Sequence, residues 1–439
     1  MLNRRHFLQS IAAAAVTPVV STGYATPHAG LIADPRKIFN LPAGFQYTVV
    51  SQFKTEMSDG LRVPGKHDGM AAFADQAGRI RLVCNHEIQP NDTAHNDLRD
   101  WYSSLPEATK ARFYDRGGDR MPGLGGTTTI VFNPATGATE RQFLSLGGTE
   151  LNCAGGPTPW GSWLSCEECF EGPTAGRDQR HGYVFEVSAA SDELVEAVPI
   201  KGMGRFKHEA CAVDAATGIV YMTEDRHHSL FYRYVPDKPG DLLAGGRLQA
   251  LAVDQQPSLE THNWAASPSV RLGEPLSAHW LDCDDPDPPK DTLRGLGKRR
   301  GAATFARGEG LCVAGDRFAF TCTNGGPARL GQIFTYRPTS ADGGELELIA
   351  ESQRDSLLHN ADNLTMAPWG DLIVCEDTAG HCSLVGIRPD GSQYAIGDNA
   401  YSRSELAGVC FSPDGKILFV NIQYPGLTLA ISGDWSAFQ

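Results

Sequence analysis

The chain contains no Gly-x-Ser-x-Gly, so nothing is left to form the sharp turn that presents a hydrolase serine. Its one Gly-x-x-x-x-Gly-Lys, Gly60 to Lys66, is followed by His67 where a nucleotide-phosphate loop needs Ser or Thr. No His-rich zinc motif is present, and the Cys-x-x-Cys of Cys166 and Cys169 has no second pair to complete a structural zinc site. No apolar run makes a good membrane span, which needs ~20 residues, and no low-complexity stretch or linker divides the chain. Positive charge is in short supply: 38 Lys and Arg face 52 Asp and Glu, for a formal net charge of -14. A surface of that sign repels nucleic acid and anionic membrane, which argues against both as partners. It repels phosphate esters as well, unless bound cations concentrate positive charge at one place.

Disulfide scaffolding is also missing as a requirement, because 439 residues bury enough surface without it. The 11 cysteines are odd in number and cannot all pair within the chain. Cys84, Cys211, Cys312, Cys322, Cys375 and Cys410 lie in strand patterns and read as small buried apolar side chains.

The N-terminus reads as a leader. Asn3-Arg4-Arg5-His6-Phe7-Leu8-Gln9 is a twin-arginine pattern, Ser10 to Val20 is an uncharged stretch, and Gly23-Tyr24-Ala25 offers a small-residue cleavage site. Residues 1–25 are therefore expected to address a folded protein to the twin-arginine export machinery, for a periplasmic or secreted destination. That route suits a protein whose metals are inserted in the cytoplasm.

What the chain has is one pattern six times. The clearest copy runs from Arg205 through His208, Glu209 and Gly218 to Glu224 and Asp225: a metal-ligand type of residue, a short strand, a Gly turn, a second strand, then acid. The others run from Asp68 through Gly78 to Glu87, from Cys153 through Gly161 to Glu167 and Glu168, and from Glu309 through Gly315 to Asn324. The last two run from Asp362 through Gly370 to Glu376 and Asp377, and from Glu405 through Gly415 to Asn421. Strands rich in Val, Ile, Leu, Phe and Cys between such marks are buried strands. Repetition at this spacing predicts an all-β fold, a β-propeller of about six four-stranded blades around a channel. Residues 26–439 are expected to form one catalytic propeller domain, with loop or helical insertions near 88–124 and 237–304. Phe45 to Ser51 reads as an opening strand that pairs with the C-terminal end and closes the ring.

Acids repeated at strand ends converge on one channel mouth. A single such acid is more often a turn cap; six placements at one end of the blade lift the set above that. Hard oxygen ligands suit calcium, and a thiolate among them, Cys153, suits a softer ion such as iron. Arg307, two residues before Glu309, either holds a phosphate by two hydrogen bonds or makes a structural ion pair. His86 and His208, each preceding a Glu, are either a general acid or packing. The readings these residues leave open include a metal-dependent propeller hydrolase acting on phosphodiesters or lactones, and a calcium-stabilised binding propeller without chemistry.

These motifs resemble the PhoX-type alkaline phosphatases from Leu41 to Gly426, through Asp68-Gly69-Met70, Asn85-His86-Glu87, Asn152-Cys153-Ala154-Gly155-Gly156, Cys166-Glu167-Glu168, Gly204-Arg205-Phe206-Lys207-His208-Glu209-Ala210, Arg307-Gly308-Glu309-Gly310, Asp362-Asn363-Leu364 and Cys375-Glu376-Asp377. The resemblance implies an exported propeller with an iron and calcium cluster at the channel mouth that hydrolyses phosphate monoesters for phosphate scavenging. It implies Cys153 as an iron ligand, Glu209, Glu309 and Asp377 as cluster ligands, and Arg307 as the substrate-phosphate contact and catalytic residue. Asp68, Glu87, Glu168 and Glu376 follow as further metal ligands. The attacking oxygen is then not supplied by a side chain. Tyr424 stands where that family has a His before Pro425-Gly426.

Overall fold

The structure is a computed structural model and describes residues 28–173, 176–265 and 267–439. The leader expected at 1–25 lies outside the described residues.

Each of the six sequence copies folds as the inner strand pair of one blade. The innermost strands are His67–Ala74, Asn152–Pro157, His208–Val213, Gly308–Ala314, Ala361–Met366 and Leu406–Phe411, for blades one to six. Their partners are Ile80–His86, Ser162–Glu167, Val220–Glu224, Arg317–Cys322, Leu372–Glu376 and Ile417–Ile422. Neighbouring inner strands touch in a closed cycle that returns from blade six to blade one. Gly78, Gly161, Gly218, Gly315, Gly370 and Gly415 all take positive φ between the two strands of a pair, which is why this position is Gly in every copy.

The apolar residues also sort by blade. Separate buried clusters lie between successive blades: Leu146 with Trp163, Cys166 with Cys211, Tyr221 with Phe318, Ala319 with Val374, Leu384 with Leu418, and Phe419 with Phe132. Burying strand faces against each neighbour is the main stabilising term. Gln46–Gln52 pairs with Leu427–Ser432, so the first blade-forming stretch and the last share a sheet and close the ring, as expected.

The blades are less uniform than four strands each. Blade two has three, ending at Val184–Ser188. Blade five gains Phe39–Pro42 and Leu31–Ile32 at its edge. Blades three and four are joined into one sheet by Leu276–Asp282, which pairs with the outer strand of each. Of the stretch 237–304, Gly246–Val253 is the outer strand of blade three and not an insertion. The stretch 88–124 carries three short helical segments, and Leu98 and Tyr102 of the first, with Phe113 from the chain between the second and third, pack on Leu144 of blade one. No helix among the described residues is long and apolar enough to cross a membrane.

Candidate active site

The same irregularity recurs in every inner pair. In blades one to five a β-bulge sets two residues of the inner strand against one of its partner, and the first of the two is Asp68, Cys153, Glu209, Glu309 or Asp362. A bulge leaves a residue outside the ladder and re-aims its side chain. The residues marked in the sequence are thus the bulged ones. Blade six shifts its bulge by one, to Gly408 and Val409, and Glu405, just before the strand, takes the acidic role there.

Close packing around the channel explains the second bulge residue. A Cβ on Gly69 would come within 2.5 Å of the Ala154 Cα, and one on Gly310 within 2.6 Å of the Asp362 carbonyl oxygen. The carbonyls freed by the bulge are taken up by the preceding blade. Asn85 Nδ2 donates to the Cys153 carbonyl at 3.0 Å, Thr223 Oγ1 to that of Glu309 at 2.5 Å, Thr321 Oγ1 to that of Asp362 at 2.6 Å, and Asn421 Nδ2 to that of Asp68 at 2.5 Å. These bonds satisfy buried backbone groups and fix where each bulged side chain starts.

In copies two, three and five the acid that ends the second strand obeys strand alternation. Glu167, Glu224 and Glu376 pair directly across the ladder with Asn152, His208 and Ala361. They serve as internal acceptors: Glu376 accepts from the His359 and Ser383 N–H groups at 2.7 and 2.9 Å, and Glu167 from the Glu150 and Gly182 N–H groups at 2.9 and 2.8 Å. Glu376, expected among the ligands, is thereby spent on backbone bonds; the alternation of the strand turns it from the group that its neighbour Asp377 joins. Burial raises Glu376 to about 7 against the pull of its two backbone bonds and of His28.

Cys153 belongs to two close triads. Ligand atoms of Asp68, Glu87 and Cys153 lie within 4.8 Å of one another, and so do those of Cys153, Glu168 and Glu209. Burial, then the nearby Asp68, Glu209, Glu87 and Glu168 carboxylates, push the Cys153 thiol well up. Glu209 is buried, and neither of its carboxyl oxygens has a hydrogen-bond partner. Burial and its acidic neighbours, with Glu309 first, raise it well above the carboxylate range. The same causes raise Asp68, Glu309, Asp362 and Glu405. Gln423 ties three of the acids together, its Nε2 donating to Asp68 at 2.9 Å, to Glu87 at 2.7 Å and to Glu405. Carboxylates packed together out of water are held either by protons or by cations. The donor set fits the metals that the sequence resemblance implies.

Arg307 lies at positive φ and meets Asp225 through both Nε and Nη2, at 2.7 and 2.9 Å, while Nη2 also reaches Glu309 Oε1 at 2.6 Å. The ion pair and the phosphate contact, alternatives in sequence, are compatible: among the described residues these bonds leave Nη1 uncommitted. Lys207 reaches Glu168 at 3.4 Å, and Lys66 reaches Gln423 Oε1 at 3.3 Å. His86 bonds Gly65 and Thr128 at 3.0 Å each, and His208 bonds Gly204 at 2.9 Å and stacks on Phe206. Burial lowers them to about 4 and about 3, as for rings packed in neutral form. Lys207 and Lys66 had no role assigned in sequence, and Glu405, which opens the sixth copy, was not carried into the ligand set. Glu405 precedes its strand, so the blade-six register shift hides it.

Comparison with known proteins agrees with this geometry. No curated protein matches the chain. The solved structure of Pseudomonas fluorescens PhoX in complex with vanadate, a transition state analogue, superposes with a TM-score of 0.67 at 18% identity, covering 93% of this chain and 97% of that one. The periplasmic gluconolactonase of Pseudomonas aeruginosa gives 0.43 at 12% identity, covering 87% and 90%. Virginiamycin B lyase of Staphylococcus aureus, an inactive variant with quinupristin, gives 0.39 at 10%, covering 88% and 99%. The family model of alkaline phosphatase PhoX matches residues 26–426, and the chain belongs to that family of metal-dependent phosphatases.

Proposed function

We propose that this phosphatase is exported by the twin-arginine route and hydrolyses phosphate monoesters at the channel mouth with iron and calcium, residues 26–439 acting as one catalytic domain. The observation that carries the reading is Glu209, a buried carboxylate with both oxygens unbonded beside a buried thiol. Such a group persists only when protonated or facing a cation. Cys153, Glu209 and Glu168 would hold iron, the thiol selecting the softer ion. Asp68, Glu87, Glu309 and Asp377 supply the oxygen ligands that calcium prefers. When bound, the metals supply Lewis acidity toward phosphoryl oxygens and charge for the leaving oxygen.

The chain's own residues then position the ester. Arg307 is oriented by Asp225 and Glu309, so its free edge meets a phosphoryl oxygen without reorganisation, and a charge fixed in advance acts most on the transition state. Lys66 and Lys207 offset the acidic surface at the rim and draw an anionic substrate inward. Gln423 keeps the Asp68, Glu87 and Glu405 oxygens in register. The vanadate held by the Pseudomonas fluorescens protein supports phosphoryl chemistry at this site. Metal analysis of protein exported by its own route, with turnover of mono- and diesters, tests the reading: iron, calcium and monoester turnover are expected. Calcium without turnover, or a preference for diesters or lactones, would overturn it.

A further inference from the structure

A second group of ligand-type side chains lies outside the two Cys153 triads, on the short strand His227–Ser229 and in the loop that follows the outer strand of blade three. It uses His228, Glu260 and His262. His262 is 2% exposed, and its Nε2 is buried with no hydrogen-bond partner. The ring cannot easily turn that nitrogen elsewhere. It lies on Trp264 with centroids 4.3 Å apart, and Trp264 is pinned through Nε1 to the Asn324 carbonyl at 2.7 Å and covered by the Arg329 guanidinium.

His228 meets this ring edge-on at 4.5 Å. Its backbone sits at φ 56, a conformation unfavourable for His that persists only where surrounding structure holds it. Its Nδ1 is also buried without a hydrogen bond and stands 3.9 Å from Glu260 Oε1. One ligand atom from each of the three residues lies within 4.8 Å of the others. Buried polar atoms are nearly always bonded, and here two imidazole nitrogens face a carboxylate with no bond between them.

We propose that His228, His262 and Glu260 form a second metal site that takes a divalent transition ion of the zinc class. Two imidazoles and a carboxylate are a zinc-type set with a fourth position open to water, whereas calcium and magnesium prefer oxygen alone. Tetrahedral ligands sit about 3.4 Å apart, so the three close inward on the ion. Burial lowers both imidazoles, leaving them neutral as metal binding requires. Lys298 Nζ bonds Glu260 Oε1 at 2.5 Å and acts as the resident cation that the metal must displace.

The test titrates the holoenzyme with zinc alone, and separately with cobalt as the spectroscopic probe. Wild type is expected to take one equivalent beyond its native metals, with the strong visible absorption of four-coordinate cobalt. His262→Ala and His228→Ala should each lose that equivalent, Glu209→Gln should keep it, and Lys298→Met should bind zinc more tightly. Should His262→Ala fail to fold, the half-exposed His228→Ala carries the test. No extra equivalent in wild type, or the same stoichiometry in wild type and the foldable His variant, would overturn the site.

Discussion

Glu209 and Glu376 are both buried glutamates at the same end of the propeller, one residue of sequence pattern apart in kind and opposite in use. Glu376 accepts two backbone N–H bonds, while Glu209 accepts none. The difference arises from register. Glu209 is the first residue of a bulge, and Glu376 lies on the regular ladder opposite Ala361. An acid whose oxygens are filled by the backbone is part of the blade; one buried with both oxygens unfilled is the kind we propose as a cation ligand. Residue type and burial do not separate the two, and hydrogen-bond accounting does.

The sharpest way to break this comparison is at Cys153, which occupies in blade two the bulge slot that Glu209 occupies in blade three. Cys153→Ser should lose iron, bleach any thiolate charge-transfer colour and lower turnover by more than about a hundredfold, since even groups that merely orient metal ligands cost about 10–100-fold. Unchanged metal content and turnover would return Cys153 to ordinary core packing.

Arg307→Ala should lower turnover by about a hundredfold, roughly 3 kcal/mol of transition-state contact, and weaken inhibition by inorganic phosphate. Arg307→Lys should recover only part, because an ammonium cannot bridge Asp225 and Glu309 as a planar fork does. Melting should fall too, since the variant strips a cation from two buried acids. Reduced melting with wild-type phosphate inhibition would make Arg307 structural alone.

A smaller effect, of pH, reports whether the buried channel acids hold metal. Burial first, then neighbouring charge, raises Asp68, Glu209, Glu309, Asp362 and Glu405 in the folded state. Without metal the native state therefore keeps protons that the unfolded chain has released, and stability falls as pH rises above the ordinary carboxylate range. Chelator-stripped protein should melt progressively lower from about pH 5 to pH 8, whereas metal-loaded protein should lose most of that slope. Equal slopes in the two would show that the metals lie elsewhere.

The inner strand pairs were legible in sequence because each is local: a mark, a strand, a Gly turn and a strand within one short stretch. The outer strands carry no marks, which is why Gly246–Val253 read as insertion and the third strand of blade two as the start of four. Among the acids, sequence found Asp68, Cys153, Glu209 and Glu309 because the bulge falls on the first mark of the copy. It could not separate Glu376 from Asp377, since the side each faces depends on a register that appears only when the strands pair. His228, Glu260 and His262 come together through loops that share no motif, and no spacing announces them.

The measurement that tests the central claim most directly is bound metal per protein in Glu209→Gln and Glu376→Gln, prepared side by side. Glu209→Gln should lose metal and turnover together. Glu376→Gln should keep both and lose only stability, about 1–3 kcal/mol for a backbone donor left poorly bonded. Equal metal loss in the two, or greater loss from Glu376→Gln, would contradict the account.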